Sequence, residues 1–260
     1  MHYADRMRDL TYPATILTAK TLFKMLGMSF QMTGTEHIPR QGGAILAANH
    51  VSYVDFVFDG LAAQPSGRLV RFMAKKDAFD HKISGPLMRS YHHISVDRAN
   101  GQQSYDDAVR YAREGEIVGI FPEATISRSF EIKELKTGAV RMAAEAGVPV
   151  IPVAVWGGHR LMTKGPKTPL RAKFGLPVTF AVGEPMLVGE ADDAAAVTLT
   201  LRERLQALVS ALQDRYPDDG TGAWWQPADR GGSAPTPEVS AVEEAARKER
   251  KALARAARKR

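Results

Sequence analysis

From residue 36 to residue 190, short β-type runs alternate with helical patterns, and few folds accommodate that order. Residues 44–48, 69–73, 93–96, 117–121, 150–155 and 178–182 have the length and apolar character of strands. Residues 53–63, 103–114 and 136–146 have helical patterning, the last stopped by Gly147 ahead of Val148-Pro149. This alternation predicts an α/β domain, a sheet with helices packed against it. Functional residues are then expected on loops at the strand ends.

The loop after the first run reads Asn49-His50-Val51-Ser52-Tyr53-Val54-Asp55. In a regular helix, residues five apart lie about 140° around the axis from one another, so His50 and Asp55 cannot share a helix face. They meet only if His50 sits in the turn before the helix, with Ser52 or Asn49 as its cap. Asp55 would then hold one ring nitrogen and leave the other as a general base. The spacing alone also fits a plain helix-capping turn. A second pair of the same spacing, His92 and Asp97, lies in a strand-like run, where residues an odd number apart point to opposite faces, so it is not expected to work as a dyad.

A chain of 260 residues with 44% hydrophobic content suffices for one substantial core plus extensions. The absence of cysteine excludes disulfides, thiolate metal sites and a cysteine nucleophile. The amino terminus lacks the order of a secretory signal, and no run of about 18 apolar residues predicts a conventional membrane span. His81, His92 and His93 show no metal-ligand spacing, so no metal is expected; His159 is expected to be an exposed loop imidazole.

Charge is uneven: the last twenty residues hold eight Lys/Arg and three Glu, so they carry most of the formal +6. Residues 1–35 read as a helical segment for a membrane interface, with Lys20 and Lys24 snorkelling; packing on the protein's own core is the alternative. Residues 36–217 form the main domain, including a helix over 193–214. Residues 218–238 read as a linker whose Trp224-Trp225 docks on the domain or on lipid. Residues 239–260 are a basic, Ala-rich helix former, expected to be solvated or bound to something acidic. They lack the aromatic interleaving of a nucleic-acid binder, so no nucleic-acid partner is expected.

Three further blocks follow at strand ends: Ile94-Ser95-Val96-Asp97-Arg98, then Phe121-Pro122-Glu123-Ala124-Thr125-Ile126-Ser127-Arg128-Ser129, then Val148-Pro149-Val150-Ile151-Pro152-Val153. With the Asn-His-x-Ser-x-x-Asp block, their order and separation resemble the glycerophospholipid acyltransferase family, of the 1-acylglycerol-3-phosphate acyltransferase type. The resemblance covers about residues 35–185. It extends to Met73-Ala74-Lys75-Lys76-Asp77 and to Leu135-Lys136-Thr137-Gly138.

The resemblance implies one acyltransferase domain with a mixed central sheet, and transfer of a fatty acyl group from acyl-CoA or acyl carrier protein to a lysolipid hydroxyl. No cofactor beyond that co-substrate is implied. His50 would be the base and Asp55 its partner. Arg98 would hold the acceptor's phosphate and Glu123 would position the acceptor, with Thr125, Arg128 and Lys136 as further substrate contacts. Lys75 and Lys76 are expected to pack or face solvent. The partners implied are a membrane lipid and a membrane surface, at the cytoplasmic face of the cell membrane, with peripheral or monotopic attachment. Two positions depart from the family pattern: Ala124 stands where glycine is usual, and Ile126 where arginine is usual. The first implies an ordinary turn or some strain. The second leaves the acceptor's head group open, another lysolipid or a glycolipid being the alternative.

Overall fold

The computed structural model describes residues 9, 11–97, 100–166 and 168–257. Seven strands form one sheet: β1 (Ser29–Thr33), β2 (Ala44–Ala48), β3 (Val70–Lys75), β4 (Ile94–Val96), β5 (Ile117–Ile120), β6 (Val150–Trp156) and β7 (Pro177–Val182). Their spatial order is β1-β7-β6-β2-β5-β3-β4. Every neighbouring pair is parallel except β6 with β7. The sheet is therefore mixed, and the carboxyl ends of β6, β2, β5, β3 and β4 share one edge.

Side chains of a strand alternate between faces, so β2 supplies both cores at once. Ile45 and Ala47 join a cluster built with α5 (Gly101–Arg113), α6 (Gly138–Ala146) and α8 (Ala194–Asp214). Ala44, Leu46 and Ala48 join the opposite cluster, with Phe58, Leu61 and Ala62 of α2 (Asp55–Ala62) and Phe23 of α1 (Thr11–Met25). A sheet buried on both faces explains why its central strands read as unbroken apolar runs. Short helices α3 (Lys76–Asp80), α4 (Ser84–Ser90) and α7 (Gly158–Leu161) complete the domain, and α9 (Pro237–Ala257) ends it.

The terminal segments differ from the sequence reading. The helix expected within residues 1–35 stops at Met25, beyond which Gly27 takes φ +66°, and Ser29–Thr33 pairs with β7 as the edge of the sheet. A five-residue edge strand, largely exposed, carries too weak an apolar alternation to be told from the helical pattern before it. Helix α1 packs on the protein's own core through one face and leaves apolar side chains exposed on the other. Tyr12 and Phe23 are buried, the Tyr12 hydroxyl donating to Val70 O at 3.0 Å, while Leu17, Leu22 and Met25 are exposed.

The segment read as a linker is packed. Trp225 and Ala234 are buried, and the Arg160 guanidinium lies 4.3 Å from the Trp225 ring centroid. His159 is not the exposed imidazole expected: it is fully buried, 4.4 Å from the ring of Trp156, and its Nε2–H donates to Trp225 O at 2.9 Å. Burial pushes its pKa down to about 3, so it is a neutral core residue. Its cover comes from residues more than sixty positions later, which no local pattern announces.

Asn49 fixes the point where β2 ends. Its N–H donates to Val153 O at 3.3 Å; its side-chain amide then donates to Val155 O at 3.1 Å and accepts from Val155 N–H at 2.8 Å. The side chain thus extends the β2–β6 ladder as a peptide group would, rather than capping α2. Asn49→Ala should orphan both buried groups of Val155, at about 1–3 kcal/mol each, and chemical denaturation should show that loss.

Candidate active site

The loop from β2 to α2 turns so that Asp55, the first residue of α2, faces back along it. Asp55 Oδ2 accepts from His50 Nδ1–H at 3.0 Å and from the N–H groups of Val51 and Ser52, both at 2.7 Å. The contact predicted from the spacing is therefore formed, in the turn before the helix. Ser52 does not cap α2 in the usual way: its hydroxyl lies 2.6 Å from Met162 O and 3.1 Å from Gly158 O, and it accepts from Val54 N–H at 3.2 Å.

Gly158 lets α7 come this close, since a Cβ there would lie 2.6 Å from Phe58 Cε2 and 3.7 Å from Asp55 Oδ1. Asp55 is fully buried, and burial raises its pKa against the opposing pull of His50 and the two backbone donors. The His50 side chain stays one-fifth exposed, its ring stacked 4.3 Å from that of Phe121. With Nδ1–H given to Asp55, Nε2 carries the lone pair, and no described residue takes it. Such a nitrogen can accept a proton from a bound hydroxyl, and Asp55 can stabilise the imidazolium that results.

Glu123, on the loop after β5, joins this turn from the other side. Its Oε1 accepts from His50 N–H at 2.8 Å and its Oε2 from Lys133 N–H at 3.2 Å. The side chain is 5% exposed and faces the backbone, so it positions the loop that carries His50. Burial pushes its pKa up to about 7, against the two backbone bonds and the charge of Lys133.

The other predicted residues separate. Thr125 and Arg128 sit together beyond Glu123, both bonded to carboxylates of α9, while Ile126 is buried and offers no cation. Ala124 takes φ +61°, a left-handed conformation natural to glycine, so the turn keeps the glycine geometry at some strain. Lys136 is exposed, and its N–H donates to Pro122 O at 3.0 Å just before α6. Lys76 is exposed and pairs with Asp97 at 3.0 Å, while Lys75 is exposed and pairs with Asp77. Arg98 lies outside the described residues. His93 is buried and accepts from Phe72 N–H at 3.1 Å through Nδ1.

Lys133 was not singled out in the sequence. It belongs to none of the quoted blocks, and its only signal is a cation ten residues after Glu123. Its Nζ reaches Thr125 O at 3.3 Å, the Thr125 hydroxyl and Glu244 Oε2 at 3.2 Å.

A histidine oriented by a buried carboxylate thus stands at the carboxyl ends of parallel strands, with a cation-bearing loop beside it. The acyltransferase family model matches residues 29–156, a span that holds all the blocks described above. The 1-acyl-sn-glycerol-3-phosphate acyltransferase of Bacillus subtilis is 34% identical over 184 residues, covering 69% of this chain and 82% of that protein. The enzyme of the same name from Limnanthes douglasii is 34% identical over 143 residues, covering 54% of this chain and 49% of that protein. Among solved structures, the 1-acyl-sn-glycerophosphate (LPA) acyltransferase PlsC from Thermotoga maritima has the same fold, with a TM-score of 0.66 at 22% identity, over 84% of this chain and 86% of that one. The chain belongs to the acyltransferase family.

The Glu123 shift sets a stability profile. Its ordinary value is 4.5 and its folded value about 7, so the unfolded chain releases this proton first as pH rises. Stability should therefore fall between about pH 4.5 and about pH 7 and then level off. In Glu123→Gln that component should be missing from denaturation curves taken across the same range.

Proposed function

We propose that the protein transfers a fatty acyl group from a thioester to the free hydroxyl of 1-acylglycerol 3-phosphate, giving phosphatidic acid. The observation that carries this reading is the His50–Asp55 pair with Nε2 unengaged by any described residue, in a chain whose relatives bear that activity in their names. Nε2 takes the acceptor's hydroxyl proton as its oxygen attacks the thioester carbonyl. The tetrahedral intermediate collapses by breaking the carbon–sulfur bond, and the imidazolium returns the proton to the departing thiolate. Asp55 holds the tautomer and balances the charge, and Glu123 keeps the loop in place. The donor is acyl-CoA or acyl carrier protein, both of which present the same thioester. Arg98 is assigned to the acceptor's phosphate on the family resemblance, together with Thr125 and Arg128.

A second reading, acylation of another lysolipid or a glycolipid, draws on one observation: Ile126 is buried where the family pattern places a cation. A panel of lysolipid acceptors given to the purified protein with one thioester donor separates the two, since preference for a phosphate-free acceptor would reject the first.

His50→Ala should lower kcat by about 10²- to 10⁴-fold with the fold intact, because it removes the base without removing a core residue. Asp55→Asn should also cause a large loss, by withdrawing the charge that favours the imidazolium. Thiol release from the thioester measures both, and near-normal turnover by His50→Ala would reject the mechanism.

The acceptor and product are membrane lipids, and among the described residues no helix is long and apolar enough to cross a membrane. Attachment is assigned to α1. Its exposed Leu17, Leu22 and Met25 fan over about 140° of its outward side, with exposed Lys20 and Lys24 along one margin. Beside it opens a groove of about 680 Å³ lined by Lys20, Lys24, Met28, Phe30, Met32 and Leu61, among others. The bilayer face follows as the cytoplasmic one if the donor is a cytoplasmic thioester. Replacing Leu17, Leu22 and Met25 together by serine touches no buried side chain. Co-sedimentation with neutral vesicles should drop sharply, and unchanged sedimentation would remove α1 from the attachment surface.

A further inference from the structure

The loop beside the candidate base carries a group of cations whose counter-ion is supplied by the protein itself. Glu244 of α9 uses both carboxylate oxygens on it: Oε1 accepts from the Thr125 hydroxyl at 3.0 Å and Oε2 from Lys133 Nζ at 3.2 Å. Glu243 pairs with Arg128. Desolvation raises the Glu244 pKa, but Thr125 and Lys133 outweigh it and bring the carboxyl down to about 2, so Glu244 is a fixed anion. This seat adjoins the base through one side chain, since Glu123 holds the backbone N–H of His50 on one oxygen and that of Lys133 on the other.

What holds α9 there is almost wholly ionic. Of the α9 side chains described, only Ser240 and Glu244 are partly buried; Val239, Val242 and Leu253 are exposed. A helix that buries no apolar stripe has little to dock it besides these charge pairs, whose side chains keep part of their surface in water, where screening limits what such pairs are worth. A doubly charged phosphate monoester presents more charge and more acceptor oxygens to the same hydroxyl, ammonium and guanidinium than one carboxylate does.

We propose that α9 is an intramolecular competitor of the acceptor: Glu243 and Glu244 occupy the Thr125–Arg128–Lys133 seat until the phosphate monoester of the lysolipid displaces them. The inference deepens the lysophosphatidate reading and rests on it for the identity of the displacing lipid.

The first test is kinetic. In the full-length double variant Glu243→Gln/Glu244→Gln, the apparent KM for 1-acylglycerol 3-phosphate should fall several-fold, with kcat and the KM for the acyl donor unchanged. Loss of helix in the variant α9 would not alter that expectation, because the seat is freed either way. An acceptor KM that stays the same or rises would overturn the proposal and make the glutamates a structural clamp. The second test needs no turnover. The chain contains no cysteine, so Val242→Cys on α9 and Glu203→Cys on α8, both exposed, give a clean pair of spin labels. Glycerol 3-phosphate should lengthen the label distance, and glycerol should leave it unchanged. No response to glycerol 3-phosphate, or a response only to phosphatidylglycerol vesicles, which carry no phosphate monoester, would overturn it. If the labels part on glycerol 3-phosphate while no acyl transfer is detected, the competitor stands and the substrate reading fails. If transfer proceeds, the labels stay fixed and the KM is unmoved, the competitor alone fails.

Discussion

The buried carboxylate of Glu123 carries two loops, one on each oxygen, and the geometry of the site depends on it. His50 N–H comes from the loop after β2 and Lys133 N–H from the chain beyond β5, two parallel strands that are neighbours in the sheet. Strand pairing alone would bring these loops near each other without fixing their register. A carboxylate accepting one N–H from each does fix it, because bond length and direction both constrain the two backbones. The price is desolvation, which is why the group's pKa is pushed up to about 7. Ser127 N–H adds a third tie, donating to His50 O at 2.7 Å, so both backbone polar groups of His50 are engaged while its ring remains partly open.

Much of this arrangement was legible because it follows from periodicities and from covalent spacing. The central strands and helices α2, α5, α6 and α8 fall on the runs that the alternation marks, with ends displaced by a few residues at most. The His50–Asp55 contact was legible for a geometric reason: five residues forbid it inside a helix and allow it across the turn that begins one. What stayed hidden depends on distant contacts. Trp224 and Trp225 cover His159 from a segment whose Gly/Pro composition reads as a linker, and Ser29–Thr33 is a strand only because β7 lies beside it. Lys133 escaped notice because half its part is played by a backbone N–H, which leaves no trace in residue type.

The tail illustrates the same limit. Its composition shows a solvated basic helix, and most of its described surface is indeed exposed. Its attachment, however, runs through two of its few acids, facing Arg128 and Lys133. Net charge describes how a segment behaves at a distance. Contact is decided by which side chains fall on the facing side of the helix, and Ser240 and Glu244, four residues apart, share one face.

Acids crowd the turn around His50, and burial opposes charge on them to different degrees. Asp59 stands one helical turn beyond Asp55, fully buried, with neither carboxyl oxygen bonded to the protein; burial, and then the neighbouring Asp55, push its pKa well up. Both effects favour its protonated form. Asp55 differs in what lies around the same kind of carboxyl: two backbone N–H groups and the His50 ring all converge on Oδ2, which opposes the effect of burial. If Asp59 were ionised as well, repulsion along α2 would raise the Asp55 pKa further and weaken its hold on the imidazolium. A protonated Asp59 would leave Asp55 Oδ2, the oxygen that faces the histidine, free of a like-charged neighbour.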